Sequence, residues 1–276
     1  MKKNIFFIVI VMVLFSISAC EKNSNIESNN EIKYRIDYLK VSDFDNYGKF
    51  HNELLTQASI KYPNGLNPSD SVQFVNTISD FCKEIVLSET IQQNFDFTDG
   101  FSALLFTAFE KTKDQFLINN PNTFMDESNF EEEIKNLKDS GTISSFYQSI
   151  LVRIFNDAKL NLNNDLSYEE FGVRIDNYIN EFNNHQYPID SNEGMVLAIT
   201  LSLAANSIVW WTNPRNYNNQ IQERIVPWLI ADAIGAVLSG GAALISECAE
   251  DDDINWWGVA AWTVAGGAGM SIGVKL

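Results

Sequence analysis

The chain has 276 residues, of which 19 are lysine or arginine and 36 are aspartate or glutamate, giving a net charge of −17. This acidic balance argues against nucleic-acid binding, because neutralising phosphates requires clustered lysine and arginine. Hydrophobic residues make up 45% of the chain, which is enough for one sizeable core or two smaller ones.

The first twenty residues have the order of a bacterial export signal. Lys2 and Lys3 precede an apolar run, residues 5–15, that is too short for a comfortable membrane span and is typical of a signal-peptide core. Residues 17–20, Ile-Ser-Ala-Cys, resemble the bacterial lipobox. That resemblance implies removal of residues 1–19 and acylation of Cys20. The alternative is an ordinary secretory signal whose cysteine is incidental.

Residues 20–40 are predicted to form a lipidated polar tether, since residues 21–33 are rich in Asn, Ser and Glu. Loss of residues 1–19 removes two lysines and changes the net charge from −17 to −19. Each buried methylene of an acyl chain contributes about 0.8 kcal/mol, so two or three chains hold a protein firmly on a membrane. We therefore expect a lipid-anchored protein of the bacterial cell envelope, placed in the outer membrane.

Helical periodicity dominates residues 41–190, where apolar residues recur at steps of three and four. The predicted helices are 43–60, 69–92, 98–117, 130–137, 143–158 and 167–182. Ser167 and Glu170 form a capping box at the start of the last one. Alternating strand patterns are scarce, so the sequence predicts an all-α helical bundle.

The composition changes near Asp190. Residues 191–276 contain three apolar segments, 195–211, 228–245 and 254–274, and all six tryptophans lie between positions 210 and 262. This apolar helical region is either a second module or the buried centre of a single bundle.

Small residues recur every fourth position on the last two apolar segments. They are Ala231, Gly235, Ser239 and Ala243 on the first, and Ala261, Ala265, Gly269 and Gly273 on the second. On a helix each set shares one face, which lets two backbones approach closely. The pattern predicts a C-terminal Gly/Ala-rich helical hairpin, with acidic residues 250–253 in its turn.

The hairpin has two possible placements. Its length permits a membrane span, but Asp232 would cost about 2.5–3.5 kcal/mol at the bilayer centre, and alanine and glycine supply little transfer energy. We favour packing inside the globular body and keep membrane insertion as the alternative. A buried Asp232 would need a partner, for which Arg215 and Arg224 are candidates.

Three features occur together at the two ends of the chain. They are the lipobox, a Gly-x-x-His-Asn entry at residues 48–52, and a small-residue tail that includes residues 232–240. Together they resemble uncharacterised predicted lipoproteins of the Bacteroidetes type. The resemblance implies export and lipidation but gives no biochemical activity. The tail is also similar to the glycine-zipper tails of small bacteriocin-like peptides.

Motifs for catalysis are scarce. His51 and His185 are the only histidines, and neither belongs to a nucleophile or phosphate-binding motif. Residues 161–170 match a calcium loop at its first, third and fifth positions, but Leu166 replaces the required glycine and Gly172 the required glutamate. We therefore predict no catalytic residue, no metal and no cofactor.

Two further points stay open in the sequence. Cys82 and Cys248 either pair in an oxidising compartment or remain buried thiols. The expected role is binding or structural, with the membrane and an unidentified protein or envelope component as partners. The alternative is a membrane-active or toxin-like protein that inserts its hairpin. A hydrolase is a more distant possibility, which a deep polar pocket at His51 would favour.

Overall fold

Helices account for nearly all of the regular structure in this computed structural model. It describes residues 37–62, 71–95, 97, 100–118, 127–162, 165–213, 235–237, 240–241, 243–244 and 254–275. The helices, numbered in chain order, are α1 (Asp45–Lys61), α2 (Ser71–Val86), α3 (Glu89–Asn94), α4 (Phe101–Ile118), α5 (Glu127–Asp139), α6 (Ser145–Leu162), α7 (Tyr168–His185), α8 (Asn192–Thr212) and α9 (Trp256–Lys275). Residues 235–237, 240–241 and 243–244 are helical as well.

The prediction of an all-α protein is confirmed for the described residues. A 3-10 turn, Val41–Phe44, precedes α1, and the pairing of Tyr38 with Pro188 is an isolated bridge outside any strand. The predicted signal, the tether up to residue 36 and the turn of the predicted hairpin lie outside the described residues.

Side-chain caps begin the helices that follow short loops. The predicted capping box is confirmed, because the Glu170 N–H donates to Ser167 Oγ at 3.2 Å and the Ser167 N–H donates to Glu170 Oε2 at 2.9 Å. Ser191 caps α8 by accepting from the Gly194 N–H at 3.0 Å. These contacts satisfy N–H groups that have no partner within the helix.

The predicted helix 69–92 is wrong in one respect, because the structure divides it into α2 and α3. Leu87 lies in a turn, and Ser88 Oγ accepts from the Ile91 N–H at 3.3 Å to begin a new helix. Apolar residues continue through the break, so periodicity alone does not reveal it. A serine side chain that bonds to nearby backbone competes with helix continuation at this point.

The apolar helices α8 and α9 form the centre of the bundle. Helix α8 packs against α1, α7 and α9, and α9 also packs against α4, α1 and α2. One hydrophobic core contains residues from both 41–190 and 191–276. A helix that is apolar on all sides requires such burial, either in protein or in lipid. In the described part of the chain the apolar region is therefore the buried centre of a single bundle.

Candidate functional site at the apolar centre

The small residues of the predicted faces are buried in the protein wherever their burial is described. Ala261 and Ala265 have no exposed surface, and Gly235 and Ala243 are buried as well. Gly269 and Gly273 belong to α9. The remaining two, Ala231 and Ser239, lie outside the described residues.

One pair of residues shows how closely these segments approach. A Cβ atom added to Gly240 would lie closer than 3.0 Å to Thr263 Oγ1 on α9, a separation that real Cβ atoms essentially never show. On the neighbouring residue, a Cβ at Gly241 would lie 3.3 Å from Ile134 Cδ1 and 3.4 Å from Phe130 Cε2 on α5. Residues 240–241 therefore lie between α9 and α5, where there is little room for a larger residue.

Helix α8 is the one helix among the described residues whose length and composition permit a membrane span, and 78% of its most apolar window is buried in the protein. The core helix of a globular bundle meets the same criteria. Burial within protein accounts for the apolar character of α8 without a membrane.

A polar seam joins α1 to this apolar helix. Asn52 Nδ2 donates to the Asn206 carbonyl at 2.9 Å, and Asn206 Nδ2 donates to Asp45 Oδ1 at 3.0 Å. Partial burial by itself raises the pKa of Asp45, but hydrogen bonds from Asn206 and Lys49 outweigh it and lower the pKa. The seam fixes the register of α8 on α1, because these hydrogen bonds form only when the two helices are aligned in this position.

His51 belongs to this seam and is completely buried. Its Nδ1 lies 3.3 Å from Asn52 Oδ1 and 3.5 Å from Ser207 Oγ. His51 belongs to no catalytic motif in the sequence, and the structure places it between α1 and α8. An imidazole that no solvent reaches is not presented to a substrate, so the geometry favours a packing role.

A second polar cluster joins three helix ends around Glu193, a residue that the sequence did not single out. Glu193 Oε2 accepts from the Ser144 N–H at 2.8 Å, and its Oε1 accepts from the hydroxyls of Ser144 and Tyr187. The carboxylate lies near the start of both α6 and α8, where helix dipoles favour negative charge. Its hydrogen bonds are satisfied internally, which indicates a structural role.

Asp157 forms the third cluster, between α6 and α7. Its side chain is only 7% exposed and accepts hydrogen bonds from Arg174 and from the Tyr178 hydroxyl. The guanidinium of Arg153 lies 4.5 Å from the centre of the Tyr178 ring and forms two hydrogen bonds with Glu181. These contacts join α6 to α7, which indicates a structural role for Asp157.

An open depression of about 400 Å³ lies between α6 and α7. It is lined by Asn161 and residues 165–170, the same stretch that partly matches a calcium loop. Asn161 Oδ1 is buried without a hydrogen-bond partner, and its Nδ2 donates to the Leu166 carbonyl. Among the described residues no three His, Cys, Asp or Glu side chains are grouped for metal binding.

Cys82 is a free, fully buried thiol on α2, and Cys248 lies outside the described residues. Burial raises the pKa of the Cys82 thiol. A buried thiol with a raised pKa carries little thiolate and is a poor nucleophile.

The chain matches no family model, no curated protein and no solved structure.

Proposed function

We propose that this chain is a lipid-anchored lipoprotein of the bacterial cell envelope, related to the uncharacterised Bacteroidetes-type lipoproteins and placed in the outer membrane. Its all-α body would serve a binding or structural role. The observation that carries the anchor is the order of Lys2–Lys3, the apolar run and the lipobox before Cys20. No catalytic activity is assigned to the body, because its described polar clusters form hydrogen bonds within the bundle.

Burial of the apolar helices supports a globular body outside the membrane. Residues of α8 and α9 contribute to the same core as α1, α4 and α7. An acyl anchor already provides membrane attachment, so this body has no need of a spanning helix.

The experiment compares the full chain, which contains Cys20, with residues 21–276, which lack both the signal and the acylation site. We expect acyl groups on Cys20 by mass spectrometry and retention of the full chain in the membrane fraction after alkaline extraction. Residues 21–276 should be a soluble helical protein by circular dichroism. Absence of acyl groups on Cys20 would refute the proposed anchor.

A second candidate is a membrane-active protein whose C-terminal glycine-zipper-like hairpin enters a bilayer. The length of residues 228–245 and 254–274 and their small-residue spacing support this candidate. Retention of residues 21–276 in membranes, or release of dye from vesicles by them, would support it over the first proposal. A folded protein in the aqueous phase that leaves vesicles intact would contradict it.

A further inference from the structure

A short strap, residues 38–41, runs along the loop between α7 and α8. Tyr38 forms an antiparallel bridge with Pro188, and the Leu39 N–H donates to the Tyr187 carbonyl at 2.9 Å. Leu39 is buried, with 4% of its surface exposed. These contacts fix the strap to the body, and the described part of the chain begins beside them, at Asp37.

Exposed apolar surface lies beside these contacts. Ile189 is 65% exposed and Tyr38 is 37% exposed. Pro188, which pairs with Tyr38 and precedes Ile189, is exposed as well. We call these three residues, Tyr38, Pro188 and Ile189, the strap patch. Other exposed apolar side chains, such as Val173 in α7, lie outside the strap and the loop between α7 and α8.

The chain between Cys20 and Tyr38 limits how far this patch lies from an acylated Cys20. Seventeen residues separate the two positions, and the polar tether that the sequence predicts there would have a root-mean-square span of about 23 Å. A globular body of this size is about 45 Å across. With such a tether the patch would lie, on average, closer to the anchoring membrane than the opposite side of the body does.

We propose that the strap patch is the surface of the protein that rests on the bilayer. This rests on the proposed lipid anchor at Cys20. Tyrosine suits the membrane interface because its ring is apolar and its hydroxyl reaches water. Moving an exposed isoleucine side chain from water into the bilayer lowers the free energy. Two aspartates and one lysine, Asp37, Asp190 and Lys40, flank the patch in sequence, so it has no cluster of positive charge to attract anionic lipid. We therefore expect the contact to depend on the apolar side chains and not on anionic lipid.

The experiment places an environment-sensitive fluorophore on the acylated full chain. Ile189→Cys is compared with Val173→Cys, whose native residue is similarly exposed at 59% but lies 12 residues before the end of α7. That separation is about 18 Å along the helix axis. Cys248→Ser is present in both chains, and the buried Cys82 stays unlabelled. Each protein is bound to phosphatidylcholine–phosphatidylethanolamine vesicles that contain a nitroxide-headgroup lipid.

The expected result is a blue shift and loss of fluorescence at position 189, little change at position 173, and the same difference at high salt. Equal quenching at both positions in a chain that mass spectrometry shows to be acylated would overturn this proposal alone. A chain that is not acylated refutes the proposed anchor, and with it the inference. Shielding of position 189 in residues 21–276 without vesicles would indicate contact with a second copy and would also overturn the proposal.

Discussion

Gly48 of α1 lies directly against the backbone of α8 at Ser202. A Cβ atom at position 48 would stand 2.6 Å from the Ser202 carbonyl oxygen, whereas real Cβ atoms essentially never approach within 3.0 Å. Ser202 Oγ donates to the Phe44 carbonyl at 3.1 Å beside this contact. The close approach and the polar seam together hold the apolar helix α8 against α1.

Gly48→Ala should destabilise the protein by about 1–3 kcal/mol, the usual cost of overpacking. The measurement is urea unfolding of residues 21–276, followed by circular dichroism. The matched control is Gly172→Ala on α7, where a Cβ would lie 3.7 Å from Ile208 Cγ2 in ordinary contact. That variant should be neutral or gain up to about 1 kcal/mol from helix propensity. Equal stability of the two variants would contradict the close contact at Gly48.

Local signals allowed much of the fold to be predicted. The capping box of Ser167 and Glu170 begins α7 because both partners lie within one turn, and apolar periodicity located α1, α4 and α6. The break at Ser88 was missed because a single hydrogen-bonding serine interrupts a continuous apolar stripe. Periodicity shows which face of a helix is apolar, but it does not show where the helix ends.

The polar clusters could not be predicted, because their partners are distant in sequence. His51 is buried only because α8 brings Ser207 to it from 156 positions away, and Glu193 meets Ser144 across 49 positions. In the sequence, neither His51 nor Glu193 can be distinguished from an ordinary polar residue at the surface. Spacing by four places small residues on one face of a helix, but it does not identify the helix that packs there.

Gly240→Ala should lower the free energy of unfolding, because the new methyl group would overlap Thr263 Oγ1. Thr263→Ala removes that oxygen, so the double variant should recover most of the lost stability. Urea unfolding of the two single variants and the double variant gives the coupling energy directly. Additive effects of the two substitutions would show that residue 240 does not lie against α9.

Asp157→Asn should cost about 1–3 kcal/mol, because a buried carboxylate that accepts from Arg174 and Tyr178 loses its charge-assisted hydrogen bonds. The control is Glu181→Gln, which breaks the pair with Arg153 at a site where both side chains are well exposed. Exposed pairs contribute about 0–1 kcal/mol. Thermal unfolding of both variants is the measurement, and a larger loss for Glu181→Gln would contradict the assignment.

Cys82 should not react with a thiol reagent in the folded protein. Its side chain has no exposed surface and burial raises its pKa, so thiolate is scarce and access is blocked. A Cys248→Ser variant of residues 21–276 isolates this thiol. We expect no modification in buffer and complete modification in denaturant. Rapid modification under native conditions would show that Cys82 is not buried in the core of the bundle.

Alkaline pH should unfold the protein through its buried tyrosines. Burial raises the pKa of Tyr147, Tyr178 and Tyr187 above the ordinary value of 10.0, and hydrogen bonds to Asp157 and Glu193 add to the effect at the last two. Below pH 10 the tyrosines are protonated in both states. Above it the unfolded chain loses protons that the folded protein keeps, so stability falls as pH rises.

The size of this effect is tested at the fully buried Tyr147. One tyrosine contributes at most about 1.4 kcal/mol per pH unit above pH 10, and Tyr147→Phe should make the decline shallower by up to that amount. Tyr38→Phe, at a 37% exposed position, is the control for removing a tyrosine hydroxyl outside the core. Urea unfolding between pH 9 and pH 11.5 measures the slopes, and tyrosinate absorbance should rise together with unfolding. An unchanged slope in Tyr147→Phe would show that Tyr147 ionises equally in both states.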